Sequence, residues 1–275
     1  MKLRELVALA TLKLRGHGIE SYARDARALC AFTLKIRPDQ VSFEANKDVT
    51  VVQYEMLLSF IKKRCERMPV SRITGGRLFW GRRFEINQHV LDPRGDTEIL
   101  IALALKEPAK KILDLGTGTG NLAITLLCEW PQSHAIATDI SSDALNVAAR
   151  NAECHKVSER IDLRLSDWFE NIFTTFDLIV SNPPYIAEDD IDELQDEVKN
   201  FDPLIALSCG KNELNSYREI ASAAVNRLKP GGRLISEIGS MQGVDVQQIL
   251  LSHGFKQIAL HKDFEDHDRV VSCIR

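Results

Sequence analysis

The stretch KILDLGTGTGNLAI, residues 111–124, decides the fold. Ile112, Leu113 and Leu115 around the single carboxylate Asp114 read as a buried strand. Gly116, Thr117, Gly118, Thr119 and Gly120 form a turn, and the apolar run from Leu122 reads as a helix. A strand that enters a glycine-rich turn and opens a helix is half of a βαβ unit. Its glycines let the backbone turn sharply and approach a ligand without a side-chain clash. In such sheets the ligand lies at the carboxyl ends of the strands, near the switch point.

Downstream, strands HAIATDI, RIDLRLS, FDLIVSN and GRLISEIG are separated by amphipathic helices, with an irregular stretch over 187–213. This alternation predicts a doubly wound, mostly parallel sheet, the α/β class. The last two strands, FKQIALHKD and DRVVSCIR, are expected to pair antiparallel. Upstream, three segments of residues 1–70 carry apolar residues at helical spacing, closed by Gly16 and Gly18, by Pro38 and by Pro69. Between them and the α/β part, RITGGRLFWGRRFEINQHVL has short alternating runs punctuated by glycines, a hairpin pattern. The expected domains are 1–70, helical; 71–92, a hairpin linker; and 93–275, the α/β domain.

Composition narrows the class. The net charge is −4, but residues 1–90 hold 17 Lys+Arg against 9 Asp+Glu, a balance of +8, which leaves −12 for the rest. A basic front and an acidic back suggest different partners for each. The basic front centres on Lys62, Lys63, Arg64, Arg67, Arg72, Arg77, Arg82 and Arg83. No apolar run reaches the roughly 20 residues of a membrane span, so no membrane association is expected. The six cysteines form no CxxC pair and no metal-spaced cluster. They read as reduced, mostly buried thiols of a cytoplasmic protein, and no metal site is expected.

Three features after the glycine loop point to a nucleoside ligand. Asp139 ends the second strand, nineteen residues after Gly120, where a carboxylate can take both ribose hydroxyls. Asp167 follows the third strand and can accept from an adenine amino group, and Trp168 can lie on the ring face. A helix N-cap role competes for Asp139, although Ser141 can supply the cap, and a core role competes for Trp168. The loop spacing is GxGxG, with Asp114 before it. A carboxylate there opposes a pyrophosphate but suits an ammonium, which points to S-adenosylmethionine as cofactor and S-adenosylhomocysteine as product.

The fourth strand runs into VSNPPYIAED, residues 180–189. Pro183 and Pro184 cannot donate to a ladder and stiffen the bend. The Asn182 side-chain oxygen and the Pro183 carbonyl supply two acceptors for a planar NH2 group, and Tyr185 offers a stacking face. Orienting such a nitrogen favours its pyramidal, nucleophilic form, and methyl transfer to it is mainly a matter of positioning and desolvation.

With these motifs, and with PVSRITGGRLFWGRRFEIN, VLDPRGDTE, FDPLIALSCG, YREI, LKPGGRLISEIG and HDRVV, the chain resembles the PrmC/HemK family of release factor glutamine methyltransferases. The resemblance implies a Rossmann-like methyltransferase domain behind a small N-terminal helical domain that recognises substrate, joined by a β-hairpin. It implies that residues 116–120, Asp139, Asp167 and Trp168 contact S-adenosylmethionine, with Asp114 and Asn182 beside it. Asn182, Pro183, Pro184 and Tyr185 would hold the substrate amide. The implied substrate is the glutamine of the release factor GGQ loop, methylated on its side-chain nitrogen by a cytoplasmic, monomeric enzyme. Asp92 and Gly95 stand where the family has an apolar residue and a second proline, so that segment is expected to be less stiff; KNEL at 211–214 replaces a loop turn. A nucleic-acid amino methyltransferase would use NPPY in the same way, but the acidic catalytic half makes nucleic acid the weaker substrate. A non-catalytic nucleoside-binding module would have no need of Asn182, and a nicotinamide oxidoreductase does not fit the loop spacing.

Overall fold

A computed structural model of the protein describes residues 1–263 and 265–275. Helices α1 (Leu3–Gly16), α2 (Tyr22–Leu34), α3 (Val51–Cys65) and α4 (Val70–Thr74) come first. Then follow β1 (Gly76–Phe79), β2 (Arg82–Glu85), α5 (Glu98–Ala104), β3 (Lys111–Leu115), α6 (Asn121–Glu129), β4 (His134–Asp139), α7 (Ser142–Cys154), β5 (Ile161–Leu165) and β6 (Phe176–Ser181). The remainder holds α8 (Asp196–Lys199), α9 (Leu204–Leu207), α10 (Asn215–Arg227), β7 (Leu228–Glu237), α11 (Gly243–Ser252), β8 (Lys256–Lys262) and β9 (Asp268–Ile274). The chain divides into two compact units, Met1–Gly75 with Gln195–Phe201, and Gly76–Leu194 with Asp202–Arg275.

In the helical unit, Leu3, Leu6, Ala10 and Leu14 form one stripe of α1. They pack with Ala26, Leu29 and Cys30 of α2 and Leu57, Phe60 and Ile61 of α3. Thr50 caps α3, accepting from the Gln53 amide, and the αL residue Lys35 stops α2. The core also holds an ion pair. Arg64 Nε donates to Asp25 Oδ2 at 2.9 Å, and its Nη1 donates to Glu197 Oε1 at 3.1 Å. That second bond is why the short α8, distant in sequence, belongs to this unit. The basic front is therefore not one free face. Arg64 is buried and committed, Arg67 also reaches Glu197, and Lys62 and Lys63 are exposed on the last turn of α3.

In the second unit, seven strands lie in the order β5-β4-β3-β6-β7-β9-β8. The first five are parallel; β9 runs antiparallel to β7 and β8 antiparallel to β9. Successive strand residues face opposite layers, as the pleat requires. Leu178 and Val180 join the core under α5 and α6, and Ile179 joins the core under α10 and α11. The β1–β2 hairpin buries Phe79 and Phe84 in the first of these cores. Strand β7 begins at Leu228, four residues before the expected GRLISEIG. The KPGG segment is accommodated by a register shift against β6, between Phe176 and Leu178, with Gly231 at a φ of 77°. The irregular 187–213 contains short helical turns, including α8 and α9. All six cysteines are free, but only Cys30 and Cys273 are buried, and Cys154 is exposed. Among the described residues no helix is long and apolar enough to cross a membrane.

Removing one member of a buried ion pair leaves the other charged and unpaired. Arg64→Ala is expected to lower the unfolding free energy by about 3 kcal/mol, read by urea denaturation. A loss below about 1 kcal/mol would show that solvent reaches the pair.

Candidate active site

The parallel strands end together. Leu115 of β3 pairs with Ser181 of β6 and with Thr138 of β4, and Asp139 pairs with Leu165 of β5. The Ser181 hydroxyl donates to the Leu115 carbonyl at 2.8 Å, so the glycine loop and Asn182 begin side by side. One cavity of about 310 Å³ opens over these strand ends. Gly116–Thr119 of the loop, Asp139, Asp167, Trp168, Asn182 and Pro184 line it. Asp114, Gly120, Pro183 and Tyr185, also expected at the site, are not on its wall.

The loop is shaped for close approach. Gly118, at a φ of 53°, would carry a Cβ into open space, and its amide donates to Asp139 Oδ2 at 2.9 Å. Gly120 serves packing, because a Cβ there would lie 2.6 Å from Ile124 Cδ1. Asn151 supports the loop from α7, donating to the Thr119 carbonyl and accepting from the Glu85 amide of β2. The N-cap alternative for Asp139 is settled, since Ser141 Oγ caps α7 by accepting from the Ala144 amide. Burial raises the Asp139 carboxyl, against backbone hydrogen bonds from Ser141 and Gly118.

Asp114 lies beneath the loop, fully buried. Its Oδ2 accepts from Thr117 Oγ1 and from the Ala123 amide, while Oδ1 has no hydrogen-bond partner. Burial pushes it up to about 7. An unpaired buried carboxylate oxygen under a loop whose glycines leave open space fits a ligand with a cationic group and an extended body. Among the described residues no cluster could hold a metal.

The NPPY bend is pinned by side chains of α10 and of the residue before α11. Ser216 Oγ donates to the Pro184 carbonyl at 2.7 Å, and Gln242 Nε2 donates to the Tyr185 carbonyl at 2.9 Å. Tyr185 is half-buried against the α10–α11 core, and its hydroxyl donates to Glu237 Oε1 at 3.3 Å. Sequence reasoning assigned no role to Glu237 or Thr97. Glu237 is buried at the end of β7, and Thr97 Oγ1 donates to its Oε2 at 2.5 Å. Asn182 Nδ2 donates to that Thr97 oxygen at 3.4 Å. The signal for Glu237 was present: a lone carboxylate at the end of an apolar strand, in LISEIG. Burial pushes Glu237 up to about 7, opposed by Thr97 and Arg269.

The folded protein therefore keeps the Asp114 and Glu237 protons up to about pH 7, where the unfolded chain sheds them near pH 4. Their contribution to stability is full below about pH 4 and is lost as pH rises through 7. Asp114→Asn is expected to flatten the fall in stability between pH 5 and 7.5, by up to about 1.4 kcal/mol per pH unit. An unchanged slope would mean Asp114 is ionised throughout.

Residues 5–75 match the model described as PrmC N-terminal domain, and residues 90–200 match the methyltransferase small domain. The chain is 44% identical to the release factor glutamine methyltransferase of Cereibacter sphaeroides, over 99% of this chain and 98% of that protein. It is 40% identical to the protein of the same name from Agrobacterium fabrum, over 98% and 96%. Among solved structures it shares its fold with the hMettl16 catalytic domain, at a TM-score of 0.58, 14% identity and 82% coverage of each chain. Carrying both domain signatures and full-length identity to these proteins, the chain belongs to the release factor glutamine methyltransferase family.

Proposed function

We propose that the protein uses S-adenosylmethionine to methylate the side-chain amide nitrogen of the GGQ glutamine in class I peptide chain release factors. The carrying observation is that one cavity is lined both by Gly116–Thr119 with Asp139 and Trp168 and by Asn182 with Pro184. The names and full-length identity of the relatives support the substrate.

The bound cofactor supplies an electrophilic methyl on a sulfonium. Asp139 takes the ribose hydroxyls, and Asp167 and Trp168 hold the adenine by its amino group and ring face. The ammonium of the methionine part would favour the ionised form of Asp114 beneath the loop, a carboxyl that burial otherwise holds up. Asn182 Oδ1 on the wall and the Pro183 carbonyl, next in the bend, accept the two amide hydrogens and aim the nitrogen lone pair across the cavity. The apolar residues Leu91, Pro93 and Ile205 on the wall exclude water that would solvate the nitrogen. No strong base is required, because the methylated amide nitrogen is cationic and sheds its proton readily. The helical unit, with Lys62 and Lys63 exposed, is the surface that engages the release factor body.

Labelled S-adenosylmethionine should transfer its methyl to release factors and not to GGQ-to-GGA variants, DNA or ribosomal RNA. Equal labelling of the GGA variant would refute the site of methylation, and preferential labelling of RNA would refute the substrate. Asn182→Ala should abolish turnover with little change in cofactor affinity. Trp168→Ala should instead weaken cofactor binding by roughly 1–2 kcal/mol, as loss of a stacking face does. Calorimetry and initial rates separate the two, and matching phenotypes would refute the division of roles.

A further inference from the structure

An asparagine carboxamide presents an oxygen and an NH2 of nearly equal size, so shape alone does not choose which faces a ligand. Only hydrogen bonds choose. To receive an amide N–H, Asn182 must offer Oδ1; the reversed carboxamide would set donor against donor. The residues behind Asn182 make that choice.

Thr97 stands at the N-cap position of α5, where a threonine hydroxyl ordinarily accepts from the helix's own amides. Here its side chain makes no cap bond. Above about pH 7, where Glu237 is ionised, its single hydroxyl proton goes to Glu237 Oε2 at 2.5 Å. With that proton committed, Thr97 can offer Asn182 only a lone pair, so the group it meets must be the Nδ2 donor, at 3.4 Å. Oδ1 is left for the cavity. Glu237 is buried, and its second oxygen accepts the Tyr185 hydroxyl at 3.3 Å. One acceptor at the end of β7 thus holds two parts of the NPPY bend.

We propose that Glu237 and Thr97 are positioning residues: through the chain Glu237–Thr97–Asn182 they fix the Asn182 carboxamide with its oxygen toward the substrate nitrogen. This rests on the reading of Asn182 as the acceptor for a substrate amide. Neither Glu237 nor the Thr97 proton touches the reacting atoms, and their effect passes through the orientation of Asn182.

The test, run above pH 7 so that Glu237 is ionised, compares wild type, Thr97→Val, which keeps the shape and removes the hydroxyl, and Thr97→Ser, which restores it. In wild-type protein free of substrate, the two Asn182 Nδ2 protons, assigned by their loss in Asn182→Ala, should exchange with solvent at unequal rates. In Thr97→Val the rates should become equal. With a release factor as substrate, Thr97→Val should lower kcat about 10- to 100-fold, the scale of a misplaced reacting group. KM for the release factor and Kd for S-adenosylmethionine should stay within about twofold, and Thr97→Ser should recover most of the rate. Equal exchange in wild type and Thr97→Val, or an unchanged kcat, would overturn the proposal. So would a parallel fall in kcat, cofactor affinity and Tm that Thr97→Ser does not repair, because that is general damage. If the wild type failed to methylate release factors, the substrate reading alone would fall, and the exchange comparison would still judge the relay.

Discussion

Everything at this site depends on the in-register parallel pairing of β5, β4, β3 and β6, which makes four strands end at one level. Neighbouring strands lie about 4.8 Å apart, so the row of loops spans about 14 Å. That span suits a ligand with a nucleoside at one end and an amino-acid moiety at the other. The register is locked at its edge by two bonds that belong to the loops as much as to the strands. Ser181 Oγ donates to the Leu115 carbonyl, and the Thr117 amide donates to the Thr138 carbonyl at 2.8 Å. A slip of one residue would turn Asp139 from the cavity into the core and reverse the faces of Leu178, Ile179 and Val180.

The legible parts of the molecule are those governed by local periodicity. α1 occupies LRELVALATLKLRG as its spacing predicts, and the strand ends at Leu115, Asp139 and Ser181 fall within a residue or two of the apolar runs. What the sequence hid was set by partners far along the chain. Residues 195–201 read as loop because their own apolar pattern is slight; Glu197 gains its place from Arg64, more than a hundred residues upstream. The positions of Asp139, Trp168 and Asn182 were legible because each lies at a strand end or within a few residues of one. Thr97 was not, since a threonine before a helix reads as a cap, and only the fold reveals that its proton goes to Glu237. Tyr185 was read as an open face, whereas its hydroxyl and much of its ring are turned to the α10–α11 core.

The segment 90–95 shows how a departure from a motif is absorbed. Gly95 removes the stiffness a proline would give, and Asp92 places a carboxylate where an apolar side chain is usual. Asp202, itself buried, ties the segment down. Its Oδ1 accepts from the Asp92 amide at 3.3 Å, and its Oδ2 takes Arg94 Nη2 at 2.6 Å. Arg77 lies 3.9 Å from the Asp92 carboxylate. The wall residues Val90, Leu91 and Pro93 are thus held by a side-chain clamp in place of backbone rigidity.

The two buried carboxyls mark where stability and chemistry diverge. Burying an acid without a full set of partners is costly, and a fold selected for stability alone would fill such positions with apolar groups. Asp114 keeps one oxygen unsatisfied beneath the glycine loop, and Glu237 spends both of its oxygens on Thr97 and Tyr185. Each sits at or near the end of a strand beside buried apolar residues, Leu113 and Leu115 for Asp114 and Leu234 and Ile235 for Glu237, so the cost is concentrated at the strand ends. There it is offset by the core on either side of the sheet, which supplies the rigidity an amide nucleophile needs. A planar nitrogen of low basicity gains little from a general base and much from acceptors that do not move. In a site of this kind, the buried acids act by holding other groups still.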